Sequence, residues 1–214
     1  DAIHRSGILN HEQTSAEITM RTEYAKLIKL VKNTHPDVDT DLIRRAYRVA
    51  DKAHQGQNRL SGEPYITHCL SVASNLARLG MEATTISASL LHDVLEDTSV
   101  TYNELVAEFG DDIANLVDGV TKIGTLHLAD VAPTIEQKQA ENLRKMLIAT
   151  AKDVRIILIK LADRLHNLRT LEFLSREKIE RICKESFDIY VPMANRLGLS
   201  HWQWEMEDHA FHHL

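Results

Sequence analysis

Ser89-Leu90-Leu91-His92-Asp93-Val94-Leu95-Glu96-Asp97 sets two metal-ligand side chains next to each other in an otherwise apolar run. Apolar packing gains nothing from a His-Asp doublet, and an aspartate among Leu90, Leu91, Val94 and Leu95 needs a compensating charge. On a helix, neighbouring side chains point about 100° apart, so His92 and Asp93 converge only on something lodged against the helix. A hard divalent cation is the economical candidate. The doublet therefore reads as half of a metal site. His68, closing Gly62-Glu63-Pro64-Tyr65-Ile66-Thr67-His68, and Asp163, in Lys160-Leu161-Ala162-Asp163-Arg164-Leu165-His166-Asn167, are suited to be the other half.

Outward from the doublet, apolar residues recur at helical spacing, and only four prolines and eight glycines punctuate the chain. This predicts an all-α domain, a helical bundle. Tyr24, Leu27, Ile28 and Val31 mark an amphipathic helix stopped at His35-Pro36, and the polar residues 1–21 ahead of it read as a flexible segment, leaving 22–214 as one domain. Asp39 caps a helix that ends by Gly56, and Gln57 to Pro64 form a loop carrying Arg59. Helices are expected over 66–79, 82–96, 101–109 and from Asp111-Asp112 through Val120. Gly124 to Pro133 reads as a second loop, with Thr134 and Gln137 as a capping box that opens the next helix. The run Val154 to Ala162 is β-branched enough for a buried strand, yet it flows unbroken into Asp163 to Thr170 and is assigned to a buried helix. Helices over Ser175 to Leu197 and from Ser200 onward, separated by Gly198, complete the bundle.

A length of 214 residues suffices for one domain with a real core. A formal charge of −6 argues against a surface that coats polymeric nucleic acid, while leaving room for a local basic pocket. Cys69 and Cys183 stand far apart with no CxxC pair, so a reducing cytoplasm fits better than a disulfide scaffold. No apolar run reaches the roughly 20 residues that span a bilayer, no signal-peptide pattern opens the chain, and a soluble protein with no membrane partner is expected. The chain opens without Met and stops at His212-His213-Leu214, which fits a piece excised from something longer.

Two imidazoles and two carboxylates make a mixed nitrogen and oxygen set, too oxygen-rich for a structural zinc and suited to manganese or iron with open positions. Glu96 lies one turn beyond His92, and with Asp97 it offers carboxylates able to take a proton. An ordinary acidic helix end is the plainer account of these two acids, although the helix dipole disfavours it. A lone histidine is more often structural, and His54 and His166 are read that way. Burial of Asp163 without a cation is costly, and Arg164 or Arg169 offers a salt bridge as the alternative to a metal. No glycine-rich phosphate loop or dinucleotide fingerprint occurs, and nothing supports a Ser or Cys nucleophile.

Arg59 with Ser61-Gly62-Glu63-Pro64-Tyr65-Ile66-Thr67-His68, Leu91 to Thr98, Val117-Asp118-Gly119-Val120-Thr121-Lys122, and Lys160 to Thr170 together resemble, in order, the hydrolase domain of the Rel/SpoT-type alarmone synthetase/hydrolase family, including its stand-alone small alarmone hydrolases. The likeness runs from about residue 22 to the C-terminus. It implies an all-helical HD domain, usually with one manganese ion, that removes the 3′ pyrophosphate of guanosine tetra- or pentaphosphate and so lowers the stringent-response alarmone. By the same resemblance His68, His92, Asp93 and Asp163 hold the metal, Glu96 and Asp97 are the catalytic acids, and Arg59, Ser61, Asn167 and Thr170 form the nucleotide pocket. Two positions depart from the family pattern: Leu60 stands where some members have lysine, and Cys69 where proline commonly follows the metal histidine. The intact His92-Asp93 doublet points to an active copy. The synthetase domain that many relatives carry downstream is absent from these residues. The alternatives are an HD-fold nucleotidase or phosphodiesterase, and a regulatory domain that binds alarmone without cleaving it.

Overall fold

The computed structural model describes the backbone of residues 2–124, 144, 148 and 152–214, with side chains from residue 18 onward. Every regular element among the described residues is helical, as the apolar spacing predicts, and extended pairing there is limited to an isolated bridge between Asn58 and Pro64. The second predicted loop and the capping box at Thr134 lie outside the described residues.

Helix α1 spans Ala2–Thr34, so helical backbone runs through the segment read as a flexible extension. No proline or helix-stopping pair precedes His35-Pro36, and a nucleated helix propagates until something ends it. Leu27 and Val31 are fully buried and fasten the far end of α1 against α3 (Ile66–Arg78). Between them, α2 (Thr40–Ala53) begins as expected at Asp39, whose carboxylate accepts from the backbone N–H of Asp41 and Leu42, both at 3.0 Å.

Helix α4 (Ala83–Leu90) is buried from Thr85 to its end and packs on α2, α3 and α6 (Tyr102–Gly124). Its Ser87, Ala88 and Ser89 leave room for close neighbours, and Ser89 donates its hydroxyl to Ile86 O at 2.7 Å. The single helix expected over 82–96 is instead broken. Leu91 (φ −99°, ψ 2°) and Asp93 (φ −101°, ψ −2°) leave helical geometry, and a one-turn helix α5 follows over Val94–Asp97. The physical reason lies in side chains that bind backbone and neighbours here: His92 Nδ1 meets Ser89 O at 2.8 Å and Tyr65 donates to Asp93, both in competition with a continuing helix.

The two helices expected between 101 and 120 are both present within α6, parted at Gly110, whose non-helical φ of +81° suits glycine. Helix α7 (Val154–Arg169), capped by Asp153, is the apolar run assigned to a buried helix, with Ile157, Ile159, Leu161 and Leu165 in the core. The helix expected over 175–197 runs through α8 (Arg176–Glu185), a π-helical turn at Ser186–Tyr190, and α9 (Val191–Arg196). Pro192 lacks an N–H and its ring collides with the carbonyl four residues earlier, so the wider turn ahead of it relieves the clash. Helix α10 (Ser200–His212) closes the bundle against α7.

Helices α6 and α7 meet closely at Gly119, where an added Cβ would stand 3.1 Å from Ile156 Cγ1 and nearer still to its Cδ1. Gly119→Val is therefore expected to destabilise the fold by about 1–3 kcal/mol through overpacking. Thermal melts read the loss, and Ile156→Ala in the same chain should recover part of it; a melting temperature unchanged by Gly119→Val would show that the helices part easily.

Candidate metal centre

Three segments deliver the predicted ligands. His68 stands in the first turn of α3, His92 and Asp93 in the α4–α5 break, and Asp163 midway along α7. The break is what lets two consecutive residues face one point: His92 Nε2 and Asp93 Oδ2 are 2.9 Å apart. His68 Nε2 lies 3.3 Å from His92 Nε2, 3.7 Å from Asp93 Oδ2 and 3.3 Å from Asp163 Oδ1. His92 Nε2 and Asp163 Oδ1 are 3.9 Å apart. Ligands held at about 2.0–2.2 Å from one ion stand roughly 3–4 Å from each other, so the spacing of His68, His92 and Asp163 fits a single divalent cation, with Asp93 Oδ2 beside both histidines. His68, His92 and Asp163 also form a buried group of mutually close donors.

The ligand charge states agree with that fit in part. Burial raises the Asp93 carboxyl, but His92 and His68 outweigh it and leave it far below the usual carboxylate range. Asp163 is likewise held well below that range, burial being overcome by Lys160 and by the bond to His68. Both are therefore ionised, as metal ligands must be. His68 is pushed below the ordinary histidine value by burial. His92 goes the other way, because Asp93 overcomes its burial; a proton and a cation are alternatives at the same Nε2, so acid opposes loading.

Each histidine is oriented from behind. Ser89 O can only accept, so His92 carries its proton on Nδ1 and turns its Nε2 lone pair inward. His68 Nδ1 meets His166 Nδ1 at 2.8 Å, an arrangement in which His68 donates and His166 accepts. Burial, then His68 and Arg59, hold His166 down to about 3, so it stays neutral and able to accept. The structural assignment of His166 holds, but its place is directly behind a ligand. His54 is also structural: it bonds Gln57 Oε1 through Nδ1 at 2.7 Å and stacks on Tyr65 with ring centroids 4.4 Å apart.

Tyr65 was not singled out by sequence reasoning, yet its hydroxyl reaches Asp93 Oδ2 at 2.7 Å and Asp97 Oδ2 at 3.1 Å. It thus joins a ligand to one of the candidate acids. Asp97 also accepts from Gln57 Nε2 through its backbone carbonyl at 2.9 Å. Glu96 is on the exposed rim of the same one-turn helix, with its carboxyl raised by partial burial against the opposing pull of Lys160. Since the two acids sit on a separate turn, the unfavourable-dipole argument for them lapses.

The salt bridge considered for Asp163 comes from neither Arg164 nor Arg169. Arg164 pairs with Glu185 at 2.8 Å, and Arg169 with Glu205 at 2.6 Å. Lys160, one turn earlier on α7, fills the role at 2.9 Å from Asp163 Oδ2, leaving Oδ1 turned to the histidines.

The expected pocket residues are adjacent. Arg59 donates to Asn167 Oδ1 at 2.7 Å and to Thr170 Oγ1 at 3.4 Å, with its Cζ 5.7 Å from the Tyr65 ring centroid. Asn167 Nδ2 donates to Asp163 Oδ1 at 2.7 Å. Ser61 lies half-buried in a turn closed by Gly62 N to Arg59 O at 2.9 Å, where Gly62 takes a φ of +88°. Leu60 is 71% exposed beside it, and Cys69 is fully buried in the first turn of α3.

Comparison with known proteins places this geometry. The chain is 51% identical over 184 residues to the GTP pyrophosphokinase of Myxococcus xanthus, covering 86% of this chain and 24% of that protein. It is 46% identical over 191 residues to the bifunctional (p)ppGpp synthase/hydrolase SpoT of Escherichia coli K12, covering 89% of this chain and 27% of the relative. A guanosine-3′,5′-bis(diphosphate) 3′-pyrophosphohydrolase from Aquifex aeolicus matches at 46% identity over 198 residues, 92% of this chain and 27% of its own. The chain thus spans about a quarter of the length of these relatives. The same fold appears in a solved structure described as a metazoan ortholog of SpoT that hydrolyzes ppGpp and plays a role in starvation responses; its TM-score is 0.59 at 24% identity, covering 78% of this chain and 93% of that one. No helix among the described residues is long and apolar enough to cross a membrane. The family model described as an HD domain matches residues 46–200, which span the whole of the centre, and the chain belongs to the HD-domain family.

Proposed function

We propose that this chain is a (p)ppGpp 3′-pyrophosphohydrolase: it converts guanosine tetra- or pentaphosphate to GDP or GTP plus pyrophosphate, in the cytoplasm, and thereby lowers the alarmone of the stringent response. The observation that carries the reading is the buried group of His68, His92 and Asp163 with Asp93 beside both histidines, and Glu96 and Asp97 on the adjoining turn. The names borne by the relatives, hydrolase and 3′-pyrophosphohydrolase among them, supply the substrate. The catalytic unit in this reading is residues 22–214.

Manganese is the proposed ion, and when bound it supplies Lewis-acid activation of water and charge stabilisation at phosphorus. The protein's own groups do the rest. His92 and His68 are locked in the tautomer that points a lone pair inward, by Ser89 O and by His166. Glu96, whose carboxyl is raised by partial burial, and Asp97, held by Tyr65, are placed to take up and return a proton. Arg59, released from Asn167 and Thr170, offers a planar guanidinium for guanine or phosphate, and Ser61, Asn167 and Thr170 bring hydroxyl and amide groups to base and ribose.

Incubation with guanosine tetraphosphate and manganese, followed by chromatography, tests this. GDP and pyrophosphate in equal amounts are expected. Release of orthophosphate would mean cleavage of the terminal phosphate and a different chemistry. Turnover confined to nucleoside monophosphates or cyclic diesters would identify a nucleotidase or phosphodiesterase, and binding without products a regulatory domain.

A further inference from the structure

Lys160, Asp163 and Asn167 share one face of α7, and the two outer residues grip the aspartate between them. Asn167 Nδ2 holds Asp163 Oδ1 at 2.7 Å, while Lys160 Nζ holds Oδ2 at 2.9 Å. Only 13% of the Lys160 side chain and 8% of the Asp163 side chain reach solvent, so water does little to screen the pair. We propose that Lys160 is an electrostatic tuner of the metal centre, a fixed cation that loosens the grip of Asp163 on a divalent ion and makes the focus attractive to a phosphate chain. This rests on the reading that His68, His92, Asp93 and Asp163 hold such an ion.

The plainer role would be a brace that merely orients Asp163. Two observations weigh against it. Asn167 already fixes the inward oxygen, so Oδ1 keeps its direction without Lys160. A brace also needs only a neutral donor, whereas burial of an ammonium is costly and has to be offset by something it does. The ammonium is held as an ion pair, 2.9 Å from Asp163 Oδ2.

Charge counting shows what the ammonium does. Two carboxylates and two neutral imidazoles around a divalent ion sum to zero, which gives an anionic phosphate chain no net attraction to the focus. Lys160 changes that sum to a single positive charge. Glu96 and Asp97, on the turn that follows Asp93, add negative charge to the region, which the Lys160 ammonium partly offsets. The same ammonium competes with the ion for the electrons of one carboxylate, which weakens binding of the ion and leaves it more electron-poor. Lys160 acts through Asp163 and is a positioning residue for charge, with no contact to substrate required.

The test is manganese affinity by calorimetry, measured on the whole chain without nucleotide, for the unaltered protein and for Lys160→Met, Lys160→Gln and Lys160→Arg. Met and Gln are expected to tighten manganese binding by about 10-fold or more, whereas Arg, which keeps the charge, should stay close to the unaltered protein. In a second arm Met and Gln should raise the KM for guanosine tetraphosphate and lower kcat. Gain of metal affinity with loss of turnover is a combination that structural damage does not give. Should Lys160→Met fail to fold, Lys160→Gln carries the result, since it keeps a donor near Asp163 without the charge. Manganese affinity that is unchanged or weaker in the neutral variants overturns the proposal and leaves Lys160 a brace. An unaltered protein that binds manganese but leaves the tetraphosphate intact would refute the substrate reading alone, because the calorimetric arm contains no nucleotide.

Discussion

Asp93→Ala is expected to lose bound metal and to abolish turnover together. Asp93 Oδ2 stands 2.9 Å from His92 Nε2 and receives the Tyr65 hydroxyl at 2.7 Å, so the substitution removes a ligand oxygen and leaves that hydroxyl with Asp97 alone. It also takes away the carboxylate that keeps His92 above its ordinary pKa, but no remaining group replaces the missing oxygen. Removal of an ion that supplies both nucleophile activation and charge stabilisation should bring the rate to background. His68→Ala, His92→Ala and Asp163→Ala should behave alike. Metal content by elemental analysis, read beside the rate, checks the expectation; an Asp93→Ala protein that is metal-free and fully active would sink the ligand assignment.

Glu96→Gln and Asp97→Asn are expected to separate metal from chemistry. Neither carboxylate is among the converging donors, and both lie on the one-turn helix beyond them. Manganese should remain bound while hydrolysis slows by about 10²–10⁴-fold, the usual worth of a positioned acid or base. The two variants should differ in kind. Glu96 makes its contribution as a carboxyl raised by partial burial, so Glu96→Gln should flatten the pH dependence of kcat. Asp97 shares the Tyr65 hydroxyl with Asp93, so Asp97→Asn should also loosen the metal slightly. Loss of metal in step with rate in both variants would make these acids structural supports of the site.

The sequence exposes the ligands because their chemistry conflicts with their surroundings: His92-Asp93 among leucines and valines, and Asp163 after a β-branched run, have no apolar reason to be there. Helix assignments succeed where a breaker or cap is written in the chain, as at Asp39 and Pro36. They fail at Leu91–Asp93, where no glycine or proline marks the interruption and a tertiary hydrogen bond from Tyr65 joins a local one from His92 to Ser89 O. The same limit hides Tyr65 and Lys160. A tyrosine before a helix and a lysine one turn ahead of an aspartate are commonplace, and only the packing of α3 against α7 turns them toward one point. The lysine was within reach of spacing alone, since residues three apart on a helix are neighbours. In helix α1 a weak apolar pattern leaves the helical backbone ahead of Tyr24 unmarked, since no stop signal precedes His35-Pro36.

The side chain of Asn167 faces in two directions, giving its N–H to Asp163 and accepting from Arg59. Because the carboxylate can only accept and the guanidinium can only donate, the amide cannot be flipped, and its chemistry at this position is dictated from both ends. Aspartate would set two carboxylates face to face, lysine would oppose the arginine, and leucine would strand both partners. Glutamine has the right groups at the wrong reach. The alphabet open to this position is therefore close to a single letter, fixed by two neighbours that themselves belong to different halves of the site.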